Sequence, residues 1–202
     1  MSSNTVKTYF YNDTNLDIDT MLSNGSLYHS LLWKKILEEG FKSKVQYIVS
    51  VSNDQLQAVT PVCVKKKFGL SLFGSPLRGT FTEYMGPIFH HDLDEDMKIE
   101  LIISQLSFLK KKFGIYIELG SLADDLISKK LTDSLKSIGF EHSYRPSLEI
   151  SLVEDEDTIW KSFESRARNM ARKSEKYNVE TKVESLTEDS LKEYYSFIEE
   201  TF

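Results

Sequence analysis

Between Lys161 and Lys176 the chain carries six cations and two acids, a local charge of +4 in a protein whose net charge is −6. Three of the six are Arg166, Arg168 and Arg172. A guanidinium is a planar fork of donors that matches phosphate and carboxylate oxygens. The segment can therefore hold a diphosphate or nucleotide-linked ligand, each charge-assisted bond contributing about 1.5–3 kcal/mol in a partly dry cleft. Advancing about 100° per residue from Trp160 puts Trp160, Phe163, Ala167, Met170 and Ala171 on one arc. Lys161, Arg168, Arg172 and Lys176 fall opposite, flanked by Arg166 and Lys173. Acids at 154–157 precede the segment and Lys173 and Lys176 lie toward its end, as a helix dipole favours. The same pattern also suits an amphipathic helix whose charged side is simply solvated, and spacing alone favours that plainer reading.

Other reactive residue types are scattered. The histidines are His29, His90, His91 and His142. None has a partner at metal-ligand spacing, and adjacent His90 and His91 are expected to point apart on a strand or turn, so no metal site is expected. The acids at 92, 94, 95 and 96 read as a helix start, lacking the spacing and central Gly of a calcium loop. Glu83 and Glu118 are available carboxylates, but catalytic tuning is three-dimensional, and no general base is assigned. Cys63, the single cysteine, allows neither an intrachain disulfide nor a thiolate cluster. It reads as a packed strand residue in a reducing, cytoplasmic setting. The acidic total argues against general nucleic-acid binding. Residues 1–11 show no signal-peptide pattern, and the apolar runs are far short of the ~20 residues of a membrane span.

The elements that must position these residues read as a mixed α/β sheet with helices on its faces. With 40% hydrophobic residues in 202, the chain can bury a sizeable core. Helical periodicity covers 27–39 (Leu27, Leu31, Leu32, Ile36, Leu37), 92–113 (Met97, Leu101, Ile102, Leu106, Leu109), 123–138, 158–177, and 186 or 187 to the last residue. Strands are expected at 45–51, 56–65, 68–73, 115–119, 140–143, 147–153 and 179–183, the first two joined as a hairpin through Asn53-Asp54. The stretch 74–87, with three Gly and two Pro, is expected to be irregular and a candidate cleft wall.

Trp160-x-x-Phe163, Arg166-x-Arg168, Arg172-Lys173-x-x-Lys176 and Val179, taken in order, resemble the signature of FemAB-type aminoacyltransferases and their acyltransferase relatives within the GNAT fold. The segment around Trp33-Lys34-Lys35 resembles that family's early helix. Phe73-Gly74-Ser75-Pro76 and Tyr84-Met85-Gly86-Pro87 resemble its Gly-Pro cleft segment. The resemblance implies a mostly antiparallel GNAT-like sheet flanked by helices, with 1–153 the first of two tandem domains. Residues 154–202 would lead into a second domain that is cut off. It also implies transfer of an acyl or aminoacyl group to the amine of a nucleotide- or lipid-linked, cell-wall type acceptor. By motif position, Lys34 or Lys35 and Arg168 or Arg172 would hold the acceptor's phosphates, and Tyr84 would line the cleft. The donor would be aminoacyl-tRNA or acyl-CoA, with no bound cofactor or metal. The Gly-rich R/Q-x-x-G-x-G/A loop of standard acetyl-CoA sites is missing from the sequence. Two other readings of the same residues are a phosphate- or RNA-binding module and a structural half-domain that packs on a partner domain.

Overall fold

The computed structural model describes residues 6–12, 16–112, 114–120, 129–143, 151–183 and 185–201. The chain divides into two compact units, Met1–Tyr144 and Arg145–Phe202.

The first unit is built on a mixed sheet. Strands β1 (Lys7–Phe10), β2 (Lys44–Ser52), β3 (Gln55–Lys67) and β4 (Leu70–Ser75) pair antiparallel in that order, and β6 (Gly114–Leu119) adds parallel to β4. The two-residue strand β5 (Ile88–Phe89) pairs with β3 at Ala58 and Val59, on the flank that β4 joins from Cys63 onward. Pro61 lies in the gap between them. A strand residue's N–H and C=O face the same flank, and Pro61 O accepts from Ser75 Oγ on that flank. The N–H that proline lacks therefore falls where no ladder bond is made.

Asn53 and Asp54 join β2 to β3 with φ of 50° and 59°, the left-handed pair of a tight hairpin. Phe68 and Gly69, at φ 53° and 78°, make the same turn between β3 and β4. Phe68, expected in a strand, is thus a turn residue and 92% exposed.

Two faces of the sheet are covered. On one, α1 (Ile18–Ser23) packs Ile18, Met21 and Leu22 on Tyr47, Val49, Val51 and Val59. Beside it, α2 (Leu31–Glu39) contributes Leu37 to a cluster with Val45, Cys63, Leu77 and Met85. On the other face α3 (Glu95–Lys111) sets Leu109 on Ile48, Val62 and Phe73, while Ile99, Ile102 and Leu106 meet Leu131 of α4 (Lys129–Ser137). A buried polar chain registers α3 on the sheet. Thr60 Oγ1 donates to Gln105 Oε1 at 2.6 Å, Gln105 Nε2 donates to Ser50 Oγ at 3.3 Å, and Thr8 Oγ1 links Ser50 to Ser104.

The helix expected at 27–39 is broken. Leu27–His29 form a 3-10 turn, and Ser30, extended at ψ 156°, starts α2 by accepting from Trp33 N. Serine competes for backbone bonds in this way and favours helix starts. As a result Leu27, Leu31 and Leu32 are more than half exposed, and only Leu37 of the expected stripe is buried. In α3 the expected face is buried except Met97, 48% exposed in the first turn. The helix expected at 123–138 is described as α4, with 121–128 outside the described residues. The expected strand at 140–143 is irregular, and Gly139 at φ 83° turns the chain after α4. Of 147–153, residues 147–150 lie outside the described residues and 151–153 are irregular.

In the second unit, the helix expected over 158–177 is two helices, α5 (Glu156–Ser162) and α6 (Ser165–Lys176). Phe163 and Glu164 between them are extended, at ψ 147° and 148°. The stretch 179–183 is irregular rather than a strand, with Val179 62% and Val183 100% exposed. Helix α7 (Glu188–Thr201) begins with a reciprocal cap in which Thr187 N donates to Ser190 Oγ and Ser190 N donates to Thr187 Oγ1.

Candidate functional site

The Gly-Pro loop at 76–87 leaves β4 and returns as β5 across the gap at Pro61, and it is pinned at its base. Ser75 Oγ shares its proton between Pro61 O at 2.5 Å and Met85 O at 2.6 Å. Gly120 N donates to Ser75 O and Met85 N to Gly120 O. A Cβ at Gly74 would collide with the Leu77 backbone, so this return needs glycine. Thr80 Oγ1 donates to Leu77 O within the loop.

The loop presents its side chains to the segment before α2. Tyr84 meets Tyr28 edge-to-face at 5.1 Å, and Tyr28 meets Trp33 edge-to-face at 5.0 Å. Trp33 Nε1 donates to Thr82 Oγ1 at 3.0 Å, which ties helix to loop. His29 adds a second tie. Its Nδ1 accepts from Ser26 N at 3.0 Å, so Nε2 carries the proton and donates to Gly86 O at 3.1 Å. Burial lowers the His29 pKa below 6.5, with the Gly86 and Ser26 bonds opposing. His29 is therefore a neutral strut. The result is a rigid aromatic wall of Trp33, Tyr28 and half-buried Tyr84.

Lys34 and Lys35 have different surroundings. Lys34, half-buried, lies with its Nζ 5.4 Å from the Tyr47 ring centroid and lines a cleft of about 700 Å³ with Tyr11, Asp17, Asp19, Lys44 and Tyr47. Lys35 is solvent-exposed and pairs loosely with Glu39 at 4.0 Å. Tyr84 is not among the residues lining the Lys34 cleft. It adjoins Lys34 through Tyr28 and Trp33, the residue before Lys34. The Tyr47 hydroxyl is buried with no hydrogen-bond partner among the described residues. Burial, then the charges of Asp19 and Glu38, push its pKa up to about 12.

Neither acid considered as a base stands free in a cleft. Glu118 accepts from Arg78 Nε at 3.1 Å and from Tyr116 OH at 2.8 Å, and Glu83 is exposed. Cys63 is fully buried and burial pushes its thiol pKa up, the opposite of what a nucleophile needs.

Arg168 and Arg172 lie in the second unit. Arg168 folds back so that Nη1 donates to Lys161 O at 2.8 Å and Phe163 O at 2.6 Å. It thereby caps the open C-terminal carbonyls of α5. Arg172 places Cζ 6.0 Å from the Trp160 ring centroid, a cation–π distance, and Trp160 meets Phe163 edge-to-face at 6.3 Å. Arg172 was expected opposite Trp160 on one continuous helix. The break at 163–164 bends α5 back and puts the two together. Among the described residues Arg172 makes no hydrogen bond, so its N–H donors remain available. Sequence periodicity could not show this bend, because no Pro or Gly marks it.

His90 and His91 also depart from expectation. Their ring centroids stand 4.3 Å apart rather than diverging.

Among solved structures, FemX aligns with this chain at TM-score 0.56 and 18% identity, covering 92% of this chain and 48% of FemX. The chain thus has a FemAB-like fold and spans about half the length of FemX. A GNAT family acetyltransferase of Staphylococcus aureus aligns at TM-score 0.40 and 10% identity, over 73% of this chain and 98% of its own. A probable acetyltransferase aligns at TM-score 0.43 and 10% identity, over 75% and 99%. No protein-family model matches the chain, and no curated protein matches it in sequence.

Proposed function

We propose that the chain is the acceptor-holding part of an acyl- or aminoacyl-transferase acting on the amine of a nucleotide- or lipid-linked, cell-wall type acceptor. The observation that carries this reading is the FemX fold over 92% of the chain, with the Lys34 cleft and aromatic wall placed where the family-like motifs fall. Lys34 is the stronger phosphate ligand of the early helix, because it is half-buried on a cleft while Lys35 is solvated. A partly desolvated cation binds an anion more strongly than a fully hydrated one. In the second unit, Arg172 keeps its donors for a ligand, and Arg168 shapes the elbow that presents it. Tyr84, in the aromatic wall that adjoins the Lys34 cleft through Tyr28 and Trp33, would meet the acceptor outside that cleft.

In the reaction, the acceptor's unprotonated amine attacks the carbonyl of an activated ester or thioester. The new amide C–N bond forms as the C–O bond to tRNA or the C–S bond to coenzyme A breaks, and the amine proton leaves with the departing group. Either donor fits this reading, and a cytoplasmic site of action goes with both. Any residues equivalent to the other half of FemX in a longer product would supply the rest of the donor site. No described helix is long and apolar enough to cross a membrane.

The test is a transfer assay on this chain and on any longer product of its coding sequence, using UDP-linked muramyl peptide with aminoacyl-tRNA or acyl-CoA. An acceptor mass increased by one acyl or aminoacyl group is expected. An unmodified acceptor with both donors and both products would sink the proposal.

A further inference from the structure

The turn from β5 into α3 gathers donors that the transferase reading does not use. His90 N donates to Gln57 O, continuing the β5 pairing, and Leu93 N closes a turn on His90 O. That turn folds three consecutive side chains onto one point. Asp92 Oδ2 lies 3.6 Å from His90 Nδ1, and Asp92 Oδ1 lies 3.3 Å from His91 Nε2. One donor atom from each residue falls within 4.8 Å of the others.

These separations have a metrical meaning. Zinc–nitrogen and zinc–oxygen bonds run about 2.0–2.2 Å, which places two donors of a tetrahedral ion about 3.3–3.6 Å apart. Each Asp92 oxygen is at or near that spacing from one imidazole nitrogen, Oδ1 from His91 Nε2 and Oδ2 from His90 Nδ1. Three protein ligands with the fourth position open is the usual pattern of an accessible zinc centre. The surroundings add negative potential. Glu95 follows in the first turn of α3, while Asp94 is committed to Met97 N and Asp96 to Lys130. Among the described residues, the bond to be displaced at His90 Nδ1 is a long one, 3.5 Å from Asp92 N.

We propose that His90, His91 and Asp92 form a binding site for one divalent transition-metal ion of the zinc class. Two imidazoles with one carboxylate favour zinc, nickel or copper over magnesium and calcium, which prefer all-oxygen shells. The ligands are exposed to different degrees, His91 82% by side chain against 38% for His90. The ion would therefore sit at the surface and exchange readily.

The test is calorimetric titration of the tag-free chain with zinc chloride in a non-chelating buffer, repeated with cobalt(II) and read by its visible absorption. One saturable equivalent is expected, with low-coordinate cobalt bands. His90→Ala and Asp92→Asn should each weaken binding about tenfold or more, and His142→Ala should leave it unchanged. All these residues are exposed or half-exposed, and circular dichroism confirms that the variants fold. Absence of a saturable equivalent would overturn the proposal, as would binding that survives the double variant His90→Ala/Asp92→Asn. Calcium binding as strong as zinc would overturn the imidazole assignment.

Discussion

Two buried titratable side chains contribute opposite ends of the first unit's response to pH. The folded pKa of His29 lies below 6.5 because burial penalises its charged form. The unfolded chain then binds more protons in acid, so stability is full above 6.5 and is lost as pH falls through the folded pKa. Urea titrations from pH 7.5 to 4.5 should show this loss, and it should shrink in His29→Gln. Tyr47 acts at the other end. Its hydroxyl is buried without a partner, and its pKa is raised to about 12. The phenol's contribution is intact below about 10, the ordinary value, and is lost as pH rises toward 12. Tyr47→Phe removes both an unsatisfied polar atom and this alkaline loss. It should raise stability at pH 7 by about 1 kcal/mol, seen as a higher denaturant midpoint at unchanged slope. Both roles were invisible in the sequence. His29 looked like any lone histidine, and Tyr47 looked like one more apolar position of a strand. Cys63 was legible, because a small hydrophobe between Val62 and Val64 in a β-branched run has few places to be except a sheet core.

At the scale of elements, the central strands were legible, while 140–143, 151–153 and 179–183 are irregular where strands were expected. The β2–β3 hairpin follows from alternation and the Asn53-Asp54 turn, and α3 follows from its long apolar period. The two broken helices share one cause: a short side chain or a distant cation satisfied backbone groups where periodicity predicted continuity. Ser30 starts α2 three residues into an apparently unbroken apolar run. Arg168 caps α5 from the next helix. Removing it should open the elbow. Arg168→Ala is expected to cost about 1 kcal/mol locally, read by hydrogen exchange as lost amide protection at 159–168 with the first unit unchanged. Arg168→Lys should not restore protection, since a single ammonium does not reproduce the fork. In the first unit, Gln105→Leu should cost about 1–3 kcal/mol, because it strands the buried hydroxyl of Thr60.

At the scale of the molecule, the resemblance seen in scattered motifs is a shared fold with FemX, over about half of that protein. Order and spacing of Trp33, the Gly-Pro loop and the Trp160 segment carried the fold into view, even though 179–183 and 140–143 are not strands. What spacing could not carry is which cation faces a cleft. Lys34 and Lys35 are adjacent in sequence and differ by about 100° around the helix, so one lines a cleft and the other is solvated. Under the proposed function, that difference decides which lysine would hold the acceptor. Calorimetry of UDP-linked muramyl peptide with the wild-type chain, Lys34→Ala and Lys35→Ala is the most direct test. Saturable binding is expected, weakened about tenfold or more by Lys34→Ala, the loss of one charge-assisted bond, and nearly unchanged in Lys35→Ala. Absence of binding, or equal effects of the two substitutions, would contradict the account.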